Sequence, residues 1–299
     1  MLKELKEILR FIDKHPLAGK HRVKAYSKFF SWQFSQAIFP HETTVPFVGN
    51  TKLNVKKGLS GATGNIYTGL HEFTDMAFLL HFLRTDDLFA DIGANVGSYT
   101  VLAAGCKNAR TLSFEPVPST FHWLQKNIFV NSLHEKVKAW NIGIGCKQGK
   151  LQFTSSYDTV NHVATTSEAS NKEDLIEVEL QSFDAIAQLE GVPKLIKIDV
   201  EGFETEVIKG MNSTLMAEEL KAIIIELNGS GMRYGYDEEW INNHLIEMGF
   251  SPFQYDPYSR SLVLLAHYNR HNTIYIRDLP FVQNRLKQAD KIEIFSEHI

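Results

Sequence analysis

The residues with the most chemical content stand in one short run, Leu88-Phe-Ala-Asp-Ile-Gly-Ala-Asn-Val-Gly97, where an apolar stretch ends at Asp91 and glycines follow at 93 and 97. A strand that passes through a glycine turn straight into a helix presents free backbone N–H groups and the positive end of a dipole. Glycine there lets the backbone come close to a ligand. A dinucleotide turn has the pattern Gly-x-Gly-x-x-Gly, whose middle glycine makes room for a pyrophosphate. Here Ala94 and Asn95 follow Gly93, so the middle glycine is missing, and Asp91 would repel a pyrophosphate. A carboxylate at that place favours a ligand ammonium instead. A second acid, Glu115, ends the next apolar run 24 residues later, where an acid can accept both hydroxyls of a ribose. Ammonium and ribose together describe S-adenosylmethionine.

Three further acids and a histidine are candidates for moving a proton. Asp199 ends an apolar run, Glu201 follows two residues into the loop, Glu226 ends another run, and His162 stands in a polar stretch. Methyl transfer is an in-line displacement at a sulfonium, so most of its catalysis is alignment. A sugar hydroxyl needs a carboxylate or imidazole within hydrogen-bond reach to take its proton. Glu201 is the leading base by position. Asp199 is placed to face either the methionine ammonium or the acceptor, and His162 can serve if its segment folds over the pocket. Each also has a structural reading. Asp91 and Asp199 could cap helix N-termini, Glu201 could complement a helix dipole, Glu226 could accept backbone N–H groups, and His162 could be an ordinary loop residue. Asp199, Glu201 and Glu226 offer oxygens suited to Mg²⁺, but no spacing demands a metal and none is assigned.

The elements that must position these residues follow from periodicity. After Thr85, short apolar strands alternate with helical patterns: Leu88–Asp91, a helix over 97–104, Thr111–Glu115, and a helix over 119–131. Val137–Asn141, Leu195–Asp199 with its helix to Lys209, Ala222–Glu226 and a helix over 238–248 continue the series. Such alternation marks βαβ units around a parallel sheet buried on both faces. Ser119 and Asp237 are the expected N-caps and Gly249 the expected stop. Phe253–Asp256, Ser261–Ala266 and Thr273–Arg277 read as consecutive strands, so an antiparallel edge is expected. Upstream, residues 2–12 form an amphipathic helix, Thr43–Tyr67 suggests short antiparallel strands and turns, and 73–82 has helical period. The polar stretch Thr154–Asp174 interrupts the alternation as an insertion. The expected division is a cap over residues 1–85 and a sheet domain over 86–299.

Composition limits the alternatives. The 299 residues carry 31 Lys and Arg against 35 Asp and Glu, a formal net charge of −4, which attracts neither nucleic acid nor anionic lipid globally. No nucleic-acid partner is expected. Residues 1–30 hold eight basic and three acidic residues, read as a solvated helix face with a partner-binding patch as the alternative. Two cysteines, Cys106 and Cys146, indicate neither a disulfide framework nor a zinc knuckle. No secretory apolar core and no run near ~20 apolar residues occurs. A cytoplasmic setting is expected, with a homo-oligomer possible through the first helix.

The motifs taken together resemble a known family. Asp91-Ile-Gly-Ala-Asn-Val-Gly97, Phe114-Glu-Pro-Val-Pro118, Asn127-Ile, and Ile198-Asp-Val-Glu-Gly-Phe-Glu204 are similar to the motif set of the FkbM-type methyltransferases, class I enzymes dependent on S-adenosylmethionine. The resemblance runs from about Leu53 to Asp278 and includes Tyr67-x-Gly-x-His-Glu72 and Asn272–Arg277. It implies a Rossmann-like sheet of seven strands, six parallel and one antiparallel, with helices on both faces. It also implies methylation of a hydroxyl on a sugar or a sugar-bearing natural product. Carried over by position, Gly93, Ala94, Asn95 and Gly97 would line the methionine part, Glu115 would hold the ribose, and Pro116 and Val117 would flank the adenine. Asn141 and Ile142 would meet the adenine edge or face, and Tyr67 and Glu72 would cover the cofactor. A non-catalytic protein with the same S-adenosylmethionine pocket is the alternative.

Overall fold

The computed structural model describes residues 2–39, 41–154, 162–163 and 175–299. The chain begins with helices α1 (Leu2–Lys14) and α2 (Arg22–Ile38), a hairpin of β1 (Thr43–Pro46) and β2 (Lys52–Val55), and helices α3 (Ser60–Thr68) and α4 (Phe73–Phe82). Then come β3 (Leu88–Ile92), α5 (Ser98–Val101, continued by a wider π turn to Cys106), β4 (Arg110–Phe114), α6 (Pro118–Val130) and β5 (Val137–Trp140). Strands β6 (Gly143–Ile144), β7 (Gly149–Thr154) and β8 (Leu175–Gln181) make a separate small sheet, followed by α7 (Phe183–Glu190). There follow β9 (Leu195–Ile198), α8 (Glu204–Lys209), α9 (Asn212–Met216), β10 (Ala222–Glu226), α10 (Glu238–Glu247), β11 (Ser251–Asp256), β12 (Ser261–Leu264), β13 (Asn272–Ile276), α11 (Leu279–Lys287) and a short antiparallel pair, β14 (Glu293–Ile294) and β15 (Glu297–His298).

The central sheet has eight strands in the order β12-β11-β13-β10-β9-β3-β4-β5. Pairing is parallel from β10 through β9 and β3 to β5, while β13, β11 and β12 join by antiparallel pairs. Six strands therefore run one way and two the other. The expectation of seven strands is corrected by one: Ser261–Leu264 pairs with β11 and extends the edge. The chain winds outward from β3 to β4 and β5 on one side, then returns to lay β9 against its other side. That reversal is the place where doubly wound sheets leave a crevice at their carboxyl ends, and it sets the ends of β3 and β9 side by side.

Central strands are buried on both faces, so each face needs its own core. One contains Phe183, Ile208, Ile223 and Leu245. The other contains Phe78, Leu102, Leu124 and Ile224, and it runs without a break into Ile12, Phe29 and Leu53 of the N-terminal elements.

Several local readings change. The stretch 43–67, read as strands and turns, holds the β1–β2 hairpin but ends in helix α3, whose small and polar residues carry little helical period. Helix α2 and the β7–β8 pair were not read at all. Ser119 is not a cap: α6 starts with Pro118 in its first turn after Val117, and no side chain caps it. Proline's fixed φ suits that first turn. Asp237 does cap α10, accepting from the Glu239 amide at 3.0 Å, and Gly249 follows α10 at φ +87°. Most of the 154–174 insertion lies outside the described residues. Among the described residues no helix is long and apolar enough to cross a membrane.

Candidate functional site

At the carboxyl end of the sheet, β3 and β9 pair in register so that Asp91 stands opposite Lys197. Beside Asp91, where the sequence suggests a ligand ammonium, this lysine supplies one from the protein itself. Lys197 is 3% exposed, its Nζ donates to Asp199 Oδ2 at 2.7 Å, and it lies 4.8 Å from the centre of the Tyr99 ring. Burial pulls its ammonium down, but Asp199, Glu72 and Asp91 outweigh burial and hold it above its ordinary value. Asp91 is 1% exposed and accepts from Thr100 Oγ1 at 2.7 Å. Burial raises its carboxyl, against the pull of Lys197 and Thr100.

The glycines serve the packing of the loops. At φ +80°, a Cβ on Gly93 would overlap the Asp199 carbonyl oxygen of the neighbouring strand end. A Cβ on Gly97, at φ +90°, would press on Leu124 of α6. Gly93 nevertheless borders the cleft, together with Ala94 and Asn95, whereas Gly97 does not.

Two connected hollows flank this junction. A small one is lined by Phe114, Glu115, Pro116, Val117, Ile142 and Phe203. Glu115 accepts the Asn95 and Val117 amides, both at 2.9 Å, and burial pushes its carboxyl up to about 7. Asn141 points elsewhere: its Nδ2 donates to the Glu115 and Pro116 carbonyls at 2.8 and 2.9 Å, fixing the loop that carries Glu115. The larger hollow, about 500 Å³, is lined on one side by Tyr67, Glu72 and Tyr99 and on the other by Asp91, Lys197 and Asp199. Gly93, Asn95, Asp199 and Glu201 border both hollows, so the two are one cleft. Asn95 and Glu201 hold the left-handed backbone at φ +50° and +53°, a conformation that costs a non-glycine residue and collects at functional positions.

Asp199, Glu201 and Glu226 come together here, with carboxylate oxygens all within 4.8 Å of one another. That grouping could hold a divalent cation, although Lys197 already partners Asp199. Burial and Asp199 raise the Glu201 carboxyl to about 7; burial, then Asp199 and Glu201, raise Glu226 to about 8. Glu204, not singled out from the sequence, is 2% exposed and accepts the Val200 and Gly202 amides at 3.2 and 3.1 Å, pinning the loop around Glu201. Lys197 is the one Lys or Arg among the residues lining the larger hollow, against Glu7, Glu72, Asp91, Asp199, Glu201 and Glu226.

His162 lies apart. Its amide donates to Thr154 Oγ1 and its carbonyl accepts the Thr154 amide, beside the small sheet, and it is not among the residues lining the cleft. Beyond Glu72 and Glu226 an open hollow of about 890 Å³ continues toward Lys14, Arg270 and His271. Asn272 Nδ2 ties this end together, donating to Glu72 Oε1 at 2.8 Å and Asp75 Oδ2 at 3.2 Å. The two outermost sequence motifs thus meet in space.

The model of the methyltransferase FkbM domain matches residues 91–252. Hexuronic acid methyltransferase AglP of Haloferax volcanii is 29% identical over 154 residues, 50% of this chain and 59% of that protein. Methyltransferase sdnD of Sordaria araneosa is 26% identical over 171 residues, 47% of this chain and 66% of that protein. The chain thus spans less than two thirds of the length of these curated relatives. Among solved structures, M. jannaschii TYW2 in complex with AdoMet is 14% identical, with a TM-score of 0.37 over 79% of this chain and 84% of that one.

Proposed function

The chain belongs to the FkbM methyltransferase family, and from that premise we propose that it transfers the methyl group of S-adenosylmethionine to a hydroxyl of a sugar or sugar-bearing small molecule. The observation that carries the proposal is the charge of one continuous cleft. Six carboxylates and a single lysine line its larger hollow, a field that favours a cofactor carrying an ammonium and a sulfonium. S-adenosylmethionine, when bound, supplies an activated methyl group on a positively charged sulfur.

The protein's own residues then divide the work. Glu115, held by two amides, accepts from the ribose hydroxyls, and Val117, Ile142 and Phe114 exclude water around the base. Asp91 and Asp199 share Lys197 and face the ammonium. Lys197 pairs with Asp199, and Glu201 and Glu226 are the raised carboxyls beside it. Glu201, bordering both hollows, takes the proton of the acceptor hydroxyl, and a carboxyl poised near 7 is well matched to that step. Glu226, which also borders the outer hollow, holds the acceptor on its other side. A sugar acceptor is supported by the likeness to a hexuronic acid methyltransferase over half of this chain.

Calorimetry with S-adenosylmethionine on the unaltered chain and on the Asp91→Ala and Glu115→Ala variants tests the cofactor; equal affinity in all three refutes it. Transfer of a labelled methyl group to a panel of neutral and acidic saccharides tests the reaction. Tight cofactor binding with no labelled product would show a binding protein instead.

A further inference from the structure

Helix α2 has two apolar faces where a surface helix ordinarily has one. Ala25, Phe29, Trp32 and Gln36 are buried against the body of the protein. Diametrically opposite, Val23, Phe30, Phe34 and Ile38 form a stripe open to solvent, with Val23 85% and Phe34 69% exposed, and Phe39 extends it at 61%. Five large apolar side chains in one exposed row on a small domain mark a contact surface.

The charge around the stripe identifies what it contacts. Residues 14–41 contain five Lys and Arg and no acid, and residues 14–71 contain eight against the single acid Glu42. Arg22 pairs with Asp13. Lys20, Lys24 and Lys28 form no salt bridge among the described residues; Lys20 lies over Tyr258 at 3.5 Å, within the field of Asp256, Lys24 donates to Ser296 Oγ at 2.8 Å, and Lys28 lies over Phe295 at 4.5 Å. A second copy docking by two-fold symmetry would set this cationic patch against itself. Aromatic and aliphatic side chains in a row, flanked by lysines in a stretch almost without acids, are the composition of a helix that lies in a lipid headgroup layer.

We propose that α2 docks this face on the surface of a bilayer containing anionic phospholipid, with Phe30, Phe34 and Ile38 entering the acyl boundary and the lysines meeting the headgroups. No residue of α2 is among those lining the cleft, so docking by the exposed face of α2 leaves the lining uncovered. This is peripheral attachment, independent of the methyl-transfer reading.

The full chain is sedimented with vesicles of phosphatidylcholine alone and with about one third phosphatidylglycerol. Binding to the anionic vesicles alone, weakened by salt, is expected. Phe30→Ser/Phe34→Ser should weaken it at least about tenfold, and Lys24→Gln/Lys28→Gln should remove the preference for anionic lipid. Unchanged circular dichroism shows that the variants fold; Val23→Ser, at the far end of the stripe, is the second variant should the pair not fold. Absence of vesicle binding, equal binding to both vesicle types, or a dimer that the Phe30→Ser/Phe34→Ser change converts to monomer in light scattering would each overturn the proposal.

Discussion

Two ends of the same cleft bury carboxyl groups, and they hold them differently. In the small hollow Glu115 is satisfied by two rigid backbone amides. At the other end Asp199, Glu201 and Glu226 crowd within 4.8 Å and share a single lysine. Carboxyl pKa values are raised at both ends, for Glu115 by burial against the pull of its two amides and for Glu201 and Glu226 by burial and then by their neighbouring carboxylates. On the proposed function, the contrast separates binding from chemistry within one cavity.

The largest effect should come from the crowded end. Glu201→Gln keeps the shape and removes the proton acceptor, so turnover should fall by roughly 10²- to 10⁴-fold while calorimetry shows S-adenosylmethionine affinity nearly unchanged. A fall in affinity with turnover intact would assign Glu201 to binding and erase the distinction. Next, Lys197→Met leaves the buried Asp91 and the partly buried Asp199 without their cation. Breaking such a pair from one side costs about 3 kcal/mol, which thermal melting should record, and Lys197→Met/Asp91→Asn should recover part of it. At the satisfied end, Glu115→Ala should weaken S-adenosylmethionine by about 10-fold, the loss of hydrogen bonds to a charged group, with turnover at saturation preserved.

The smallest effect is the pH dependence. Glu115, Glu201, Glu204 and Glu226 all have folded pKa values raised to between about 7 and about 8. A carboxyl raised on folding binds more protons in the native state than in the unfolded one. Its contribution is therefore greatest below the unfolded value near 4.5 and is lost as pH rises through the folded value. The protein without ligand should melt at a lower temperature at pH 8 than at pH 5.5, and S-adenosylmethionine should narrow that gap by supplying positive charge to the cluster. The rate at limiting substrate should rise with pH over the same range, and Glu201→Gln should flatten the rise; an unchanged profile in that variant would move the base to another group.

Much of this was legible in the chain because strand ends are local. An apolar run that stops at Asp91, Glu115, Asp199 or Glu226 places that acid at the rim of the sheet wherever the sheet is. Lys197 was missed for the converse reason: a lysine inside the run Leu195–Ile198 looks like an interruption until β9 pairs with β3 and sets it opposite Asp91. Asn141, expected at the adenine, also holds the loop that carries Glu115, and Gly93 and Gly97, expected to line the methionine part, also leave room for the Asp199 carbonyl and Leu124. His162 had the right chemistry, but its place depends on how a long polar insertion folds, and no local pattern encodes that.

The sequence by itself determined the alternation of strands and helices, the acids at the strand ends and the left-handed turns, since these depend on periodicity and backbone sterics within a few residues. Only the tertiary structure decided which acids share a cation, which carboxyl groups crowd enough to exchange a proton, and which face of α2 stays uncovered. Burial and the distance between charges belong to pairs far apart in the chain, and they exist only once the sheet has brought those pairs together.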